Sequence, residues 1–243
     1  MLPADDNLIH WLSYNKKLFS FARLIISMEK SRFSVSTFFF VNGVLYATWT
    51  ARLPELQAFF SMSNAELGTL LFVHALGAVV AMPFIGWLAL RFSSKMTTRV
   101  SGIVFCLFIS LIALSRNLVL VNALFFIIGL AAGSLDVSMN GQAVYVERKK
   151  GKPIMSSFHA LFSIGMAFGA GLGALFTKFD ISLTTNFMIM AALGIIALIV
   201  TSPDLVDADP EEKDVDSKKG GGFVLPTKAI LPLAIIAFCC MLG

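Results

Sequence analysis

Asp136 is the only charged residue between Arg116 and Glu147, in the stretch "GSLDVSMNGQ" at residues 133–142. A carboxylate in the middle of an apolar helix costs about +2.5 to +3.5 kcal/mol on insertion scales if the helix crosses a bilayer. Such a group must face other helices or a water-filled cavity. On one helix, Gly129, Gly133, Asp136 and Asn140 fall at i, i+4, i+7 and i+11, a single stripe, with Gln142 two residues further on. Downstream, Ser156, His159 and Ser163 share a face at i, i+3 and i+7. With 1.5 Å rise per residue, Asp136 and His159 are each expected roughly 10 Å inside the cytoplasmic surface. A carboxylate and an imidazole at equal depth can share a proton. The competing roles for Asp136 are a latch to a loop arginine and plain helix–helix adhesion. Upstream, Asn42, Tyr46 and Trp49 form a third face that can stack and hydrogen-bond a polar ligand, although Trp49 also suits an interfacial belt. His74 reads as a bonded packing histidine, and Arg52 with Glu55 as a solvated ion pair. The candidates for a substrate or proton pathway are therefore Asp136, Asn140, Gln142, Ser156, His159, Ser163, Asn42, Tyr46 and Trp49, and no residue is a candidate for catalysis.

The elements that must hold these groups are membrane spans. Of 243 residues, 57% are hydrophobic and only 14% charged, against roughly 25% charged in soluble domains. Mean hydropathy is +0.80. A span needs about 20 apolar residues, and the runs between charges predict six: 33–51, 67–90, 100–115, 117–146, 153–177 and 181–203. A seventh, 229–243, is too short to cross. Sixteen of the 19 basic residues fall on alternate loops and in the N-terminal tail, leaving Arg52, Arg116 and Lys178 on the other side. Basic residues stay in the cytoplasm, so the N-terminus is predicted cytoplasmic. This distribution also accounts for the net charge without a nucleic-acid partner. Trp49, Trp87 and Tyr145 sit at predicted span ends, as aromatic anchors do.

Four domains follow: a tail at 1–32, a six-helix bundle at 33–203, a charged linker at 204–228 and an incomplete seventh helix at 229–243. Phe21, Ala22, Ile25 and Met28 suit one face of an in-plane helix, with translation starting at Met28 as the alternative for 1–27. Cys106, Cys239 and Cys240 form no CxxC pair, so neither disulfide nor metal site is indicated, and no cofactor is implied. There is no HExxH, and Asp136 has no partner aspartate, which argues against an intramembrane enzyme.

The layout of six spans, a charged linker and a new span resembles a major facilitator superfamily transporter interrupted after its midpoint. "GWLALRFSSK" resembles the superfamily signature G-x-x-x-D-R-x-G-R-R: Gly86, Arg91 and Lys95 match, Leu90 replaces the aspartate and Ser93 the second glycine. With Arg99, these residues would make the cytoplasmic gate loop. "FFFVNGVLYATWTARLPEL" (38–56) and "LDVSMNGQAVYVERKKGKPIMSSFHALFSIG" (135–165) resemble the MosC-like branch of inner-membrane permeases. Ala170 stands where the drug-antiporter signature has proline, so drug export is disfavoured. The resemblance implies an all-α polytopic fold, an N-terminal six-helix bundle of 3+3 inverted repeats with a truncated seventh helix. "HAL" at 74–76 and again at 159–161 occupies corresponding spans of such repeats. It further implies proton-coupled transport of a small sugar- or cyclitol-like solute in the bacterial inner membrane, with a missing C-terminal half or a second copy as partner. The alternative is a non-transporting remnant or scaffold.

Overall fold

The computed structural model describes residues 5–114 and 116–207, apart from the side chains of 5–25, 83, 86, 87 and 89–92. Within 1–209, which form one compact unit, there are seven α-helices among the described residues: α1 Asp5–Thr50, α2 Leu53–Phe59, α3 Asn64–Phe92, α4 Ser94–Leu111, α5 Leu118–Lys150, α6 Met155–Lys178 and α7 Leu183–Thr201. The expected linker beyond residue 207 and the short run at 229–243 lie outside the described residues.

Helix boundaries follow local chemistry. Ser63 and Glu66 make a reciprocal capping box at the start of α3: the Ser63 N–H donates to the Glu66 carboxylate at 2.8 Å and the Glu66 N–H to the Ser63 hydroxyl at 3.3 Å. Asn117 caps α5 and Ser182 caps α7 through side-chain oxygens. α5 ends on Arg148, Lys149 and Lys150, which complement the helix dipole. Gly151 then stops it at φ 62°, a left-handed value that glycine adopts without strain.

Five helices, α3 to α7, are long and apolar enough to cross a membrane. That is one fewer than the six runs expected. The run at 33–51 is helical, but Ser34, Thr37, Asn42, Tyr46, Thr48 and Thr50 dilute its apolar content. Several of these are buried or bonded inward: Thr48 and Thr50 donate to carbonyls four residues back, and Ser34 to the Thr201 carbonyl of α7 at 2.8 Å. From residue 5 the tail is helical and unbroken with that run, so no turn separates an in-plane segment from it. α2, one short helix begun by Pro54, was not foreseen.

Two seams hold the bundle, α1 against α6 and α3 against α5. Both are built on glycine. A Cβ placed on Gly165 would come within 2.2 Å of the Phe40 carbonyl oxygen, and one on Gly43 within 2.1 Å of that of Phe162. In the other seam a Cβ on Gly129 would come within 2.0 Å of the His74 carbonyl oxygen, and one on Gly77 within 2.3 Å of that of Phe126. Without hydrophobic drive between helices in lipid, such backbone approach supplies packing contact. The stripes at Gly129/Gly133 and Gly165/Gly169 thus pack closely. Gly43 and Gly77, which the sequence reading passed over, complete them.

Candidate functional site

α5 and α6 meet across a tight loop at 151–154, and that loop sets the relative depth of their polar groups. Glu147, one turn before the end of α5, accepts the N–H groups of Ile154 and Met155 at 2.7 and 2.6 Å. A carboxylate from the preceding helix therefore satisfies the first donors of α6, where negative charge is also favoured by the helix dipole. This cap ties the end of α5 to the start of α6, the helices that carry the exposed Asp136 and His159.

Asp136 is exposed and lies within electrostatic reach of His159 and of Tyr46 from α1. Asn140 donates its amide to the Asp136 carbonyl at 2.8 Å and to its carboxylate at 3.2 Å. Among the described residues Asp136 has no ion pair, and no described arginine side chain latches it. His159 stacks edge-on against Phe39, centroids 5.3 Å apart, and its carbonyl accepts the Ser163 hydroxyl at 3.1 Å. Ser156, His159 and Ser163 are exposed, while Gly165, Gly169 and Gly173 are buried in the α1 seam. The two stripes of α6 do separate as spacing predicts.

The third face divides. Tyr46 is half-buried, but Asn42 and Trp49 are buried, at 1% and 4% exposure. Asn42 donates to the Met139 sulfur at 3.7 Å. Trp49 stacks inward on His74 and Phe125, centroids 5.1 and 5.4 Å away, so it is a core aromatic and not a membrane-interface anchor. Its position at a span end suits both patterns, and the choice is made by His74 lying opposite. His74 packs there as expected, but its Nε2 has no hydrogen-bond partner among the described residues. Gln142 is buried as well, with its amide donating to Ser94 Oγ at 2.9 Å and the Val206 carbonyl at 2.7 Å, and accepting the Val206 N–H at 2.9 Å. The structure therefore brings together Asp136, Asn140, Tyr46 and His159, and sets Asn42, Trp49 and Gln142 behind them.

Of the expected gate loop, Gly86 lies within α3, and the Arg91 side chain lies outside the described residues, as does that of Trp87. Arg99 is exposed, and Lys95 donates to the Pro203 carbonyl at 2.6 Å. Ser93, standing where the resemblance puts a glycine, has φ 108° and ψ 143°, a region that L side chains rarely enter. Its hydroxyl accepts the Met96 N–H at 3.2 Å and so caps α4.

At the opposite end of the helices, Arg52 is not a solvated ion-pair member. It is 3% exposed and donates to the Glu55 carboxylate and to the Ile181 carbonyl, the latter at 2.9 Å. Glu55 also accepts the Thr177 hydroxyl. Burial by itself would raise the Glu55 carboxyl; the Arg52 and Thr177 hydrogen bonds and the Arg52 charge outweigh it and hold it below the usual range. The sequence shows Arg52 beside Pro54 and Glu55, but not the Ile181 carbonyl that Arg52 reaches nor the Thr177 hydroxyl that Glu55 accepts.

Residues 33–243 match the family model described as Major Facilitator Superfamily. The chain is 30% identical over 213 residues to "Uncharacterized transporter y4wD" of Sinorhizobium fredii, covering 86% of this chain and 55% of that protein. It is 31% identical over 205 residues to an "Uncharacterized MFS-type transporter" of Yersinia pestis, covering 84% and 52%. It is also 30% identical over 158 residues to "Membrane protein MosC" of Rhizobium meliloti, covering 63% and 39%. The chain spans about half the length of the relatives it matches.

Proposed function

Given that this chain belongs to the major facilitator superfamily, a family of transporters rather than enzymes, we propose that it forms the N-terminal half of a secondary transporter of a small polar solute. The observation that carries the reading is the cluster of Asp136, Tyr46, Asn140 and His159 on the open side of the bundle. An intramembrane carboxylate beside an imidazole is a proton-handling arrangement. Neutral donors and acceptors around it, with Ser156 and Ser163 near by, suit a hydroxylated, sugar- or cyclitol-like ligand. The second half of a longer protein, or a second copy, would cover this side and complete the pathway.

The arrangement of the helices is in keeping with 3+3 repeats. If the runs at 33–51, 67–90 and 100–115 correspond to those at 117–146, 153–177 and 181–203, the α1–α6 seam is the counterpart of the α5–α3 seam. Both are glycine seams. Six crossings, with the C-terminal part of α1 as the sixth, and a cytoplasmic N-terminus in a bacterial inner membrane agree with the sixteen-to-three split of basic residues. Transport would proceed by rocking one half against the other.

The test is uptake of labelled sugars and polyols into vesicles containing a full-length relative, with the residue matching Asp136 changed to Asn. The expected result is uptake whose dependence on external pH is flattened by the change. A pH profile identical to that of the parent, with normal insertion, removes the proton role; no flux of any polar solute removes the transporter reading.

A further inference from the structure

Two buried ring nitrogens between the glycine seams have no partner. α1 packs closely on α6, and α3 on α5, and rings join the two pairs. His74 of α3 lies against Trp49 of α1 with centroids 5.1 Å apart, and against Tyr46 with centroids 6.0 Å apart. Phe125 of α5 stands edge-on to Trp49. Trp49 is 4% exposed and His74 8%, yet neither Trp49 Nε1 nor His74 Nε2 has a hydrogen-bond partner among the described residues. Other buried polar side chains are bonded: Thr48 donates to the Val44 carbonyl at 2.8 Å, and Ser34 to that of Thr201 at 2.8 Å. Leaving one buried polar atom unpaired costs about 1–3 kcal/mol, and here two adjoin. Arg52, Asn122 and Asn186 also carry unpaired buried atoms, but among the described residues Trp49 and His74 alone combine them in one ring pair. Asn42, on the same face of α1 as Trp49, adds an unpaired Oδ1.

We infer that Trp49 and His74 form a subsite for a hydroxyl group of a neutral polyol, with the Tyr46 ring as its cover. This deepens the transporter reading above and rests on it. An indole N–H can only donate, whereas an imidazole nitrogen donates or accepts according to its tautomer. A hydroxyl accepts from the first and either donates to or accepts from the second, so it satisfies both in either tautomer. A carboxylate or phosphate would bring a charge, and the rings packed on the pair, those of Tyr46 and Phe125, supply no cation to balance it. Aromatic walls with a few polar atoms are the usual makeup of a small-molecule site. Tyr46 is half-buried, in ring contact with both Trp49 and His74 and within electrostatic reach of the exposed Asp136. It therefore links the buried pair to the exposed carboxylate, and its rotation about χ1 admits a solute from Asp136 to the two nitrogens.

The test uses the purified 243-residue chain in detergent with Trp11→Phe and Trp87→Phe, which leave Trp49 as the single tryptophan. Glucose, myo-inositol and glycerol are titrated separately in the millimolar range. At least one should shift Trp49 emission saturably to longer wavelength, as the indole N–H gains an acceptor. His74→Phe keeps a ring and removes the nitrogen, and should raise the half-saturating concentration about five- to ten-fold, the worth of one hydrogen bond. His74→Gln places an amide at similar reach and should recover most of that loss, whereas a packing role alone predicts that Phe is tolerated better than Gln. Tyr46→Ala should increase quenching of Trp49 by acrylamide. Emission unmoved by all three solutes, or no recovery in His74→Gln relative to His74→Phe, would overturn the assignment and leave the two nitrogens to buried water. Uptake by the full-length relative without a Trp49 response removes this subsite and keeps the transporter reading. A Trp49 response without uptake keeps the subsite and removes transport.

Discussion

At the end of the bundle away from the basic loops, a buried guanidinium gathers three elements: Arg52 reaches Glu55 on α2 and the Ile181 carbonyl, while Glu55 reaches Thr177 on α6. At the other end the equivalent task falls to a neutral amide. Gln142 joins α5 to Ser94 at the start of α4 and to Val206 after α7. Of the charged groups there, Glu147 and Lys95 bond to backbone, and Lys150 pairs with the exposed Glu29. The difference is one of reversibility. A buried charge separated from its partner pays the full desolvation penalty, so the Arg52 end is held strongly or not at all. An amide can exchange its partners for water at about 1 kcal/mol per bond. The basic end is therefore the one better suited to open and close.

The comparison can be broken at each fastening. Glu55→Gln leaves the Arg52 charge buried without a counter-charge. Because the carboxylate is partly solvated, the expected loss is about 2 kcal/mol, below the 3–5 kcal/mol of a fully buried pair, measured as a lowered Tm of the purified protein in detergent. The same pair predicts a pH dependence. The Glu55 carboxyl is held below its ordinary range in the folded state, so its contribution is present above the unfolded value of about 4.3. It disappears as pH falls through the depressed folded value, and Glu55→Gln should flatten that part of the thermal stability profile. Gln142→Leu should cost about 1–2 kcal/mol, since the Val206 backbone groups lose their partner but lie where water can reach them. It should also raise the accessibility of a cysteine placed at Ser94. A loss larger than that of Glu55→Gln would reverse the order argued above. Lys150→Ala is expected to change stability by less than about 1 kcal/mol, and the difference should vanish in high salt.

Much of the helical layout was legible because charge interrupts apolarity cleanly. The loops at 151–154 and 179–182 fall where basic and turn residues end the runs. The stripes of α6 were legible for a related reason: spacing alone separates Ser156, His159 and Ser163, which are exposed, from the buried Gly165, Gly169 and Gly173. The Arg52–Glu55 pair was not legible as a buried one, because the distant partners, Ile181 for Arg52 and Thr177 for Glu55, are more than 120 residues away, and an Arg three residues before a Glu looks alike in solvent and in a core. Trp49 failed differently, since an aromatic at the end of a span satisfies the belt and the core equally until its neighbours are known. Gly43 and Gly77 carry no signal of their own; each lacks a glycine at four-residue spacing and gains meaning only from the helix opposite. The backbone at Ser93 was half visible, through the glycine its position resembles, but its φ of 108° was not.

The glycine seams also limit how this protein can vary. When a side chain clashes with another side chain, a smaller residue opposite can relieve it. At Gly43, Gly77, Gly129 and Gly165 an added Cβ would meet a carbonyl oxygen, and every amino acid carries the same carbonyl. No change of residue on the facing helix can make room, so these four positions have no second-site suppressor on the partner helix. Descendants of this sequence can rewrite the polar cluster on the open side one residue at a time, while these glycines must be inherited unchanged.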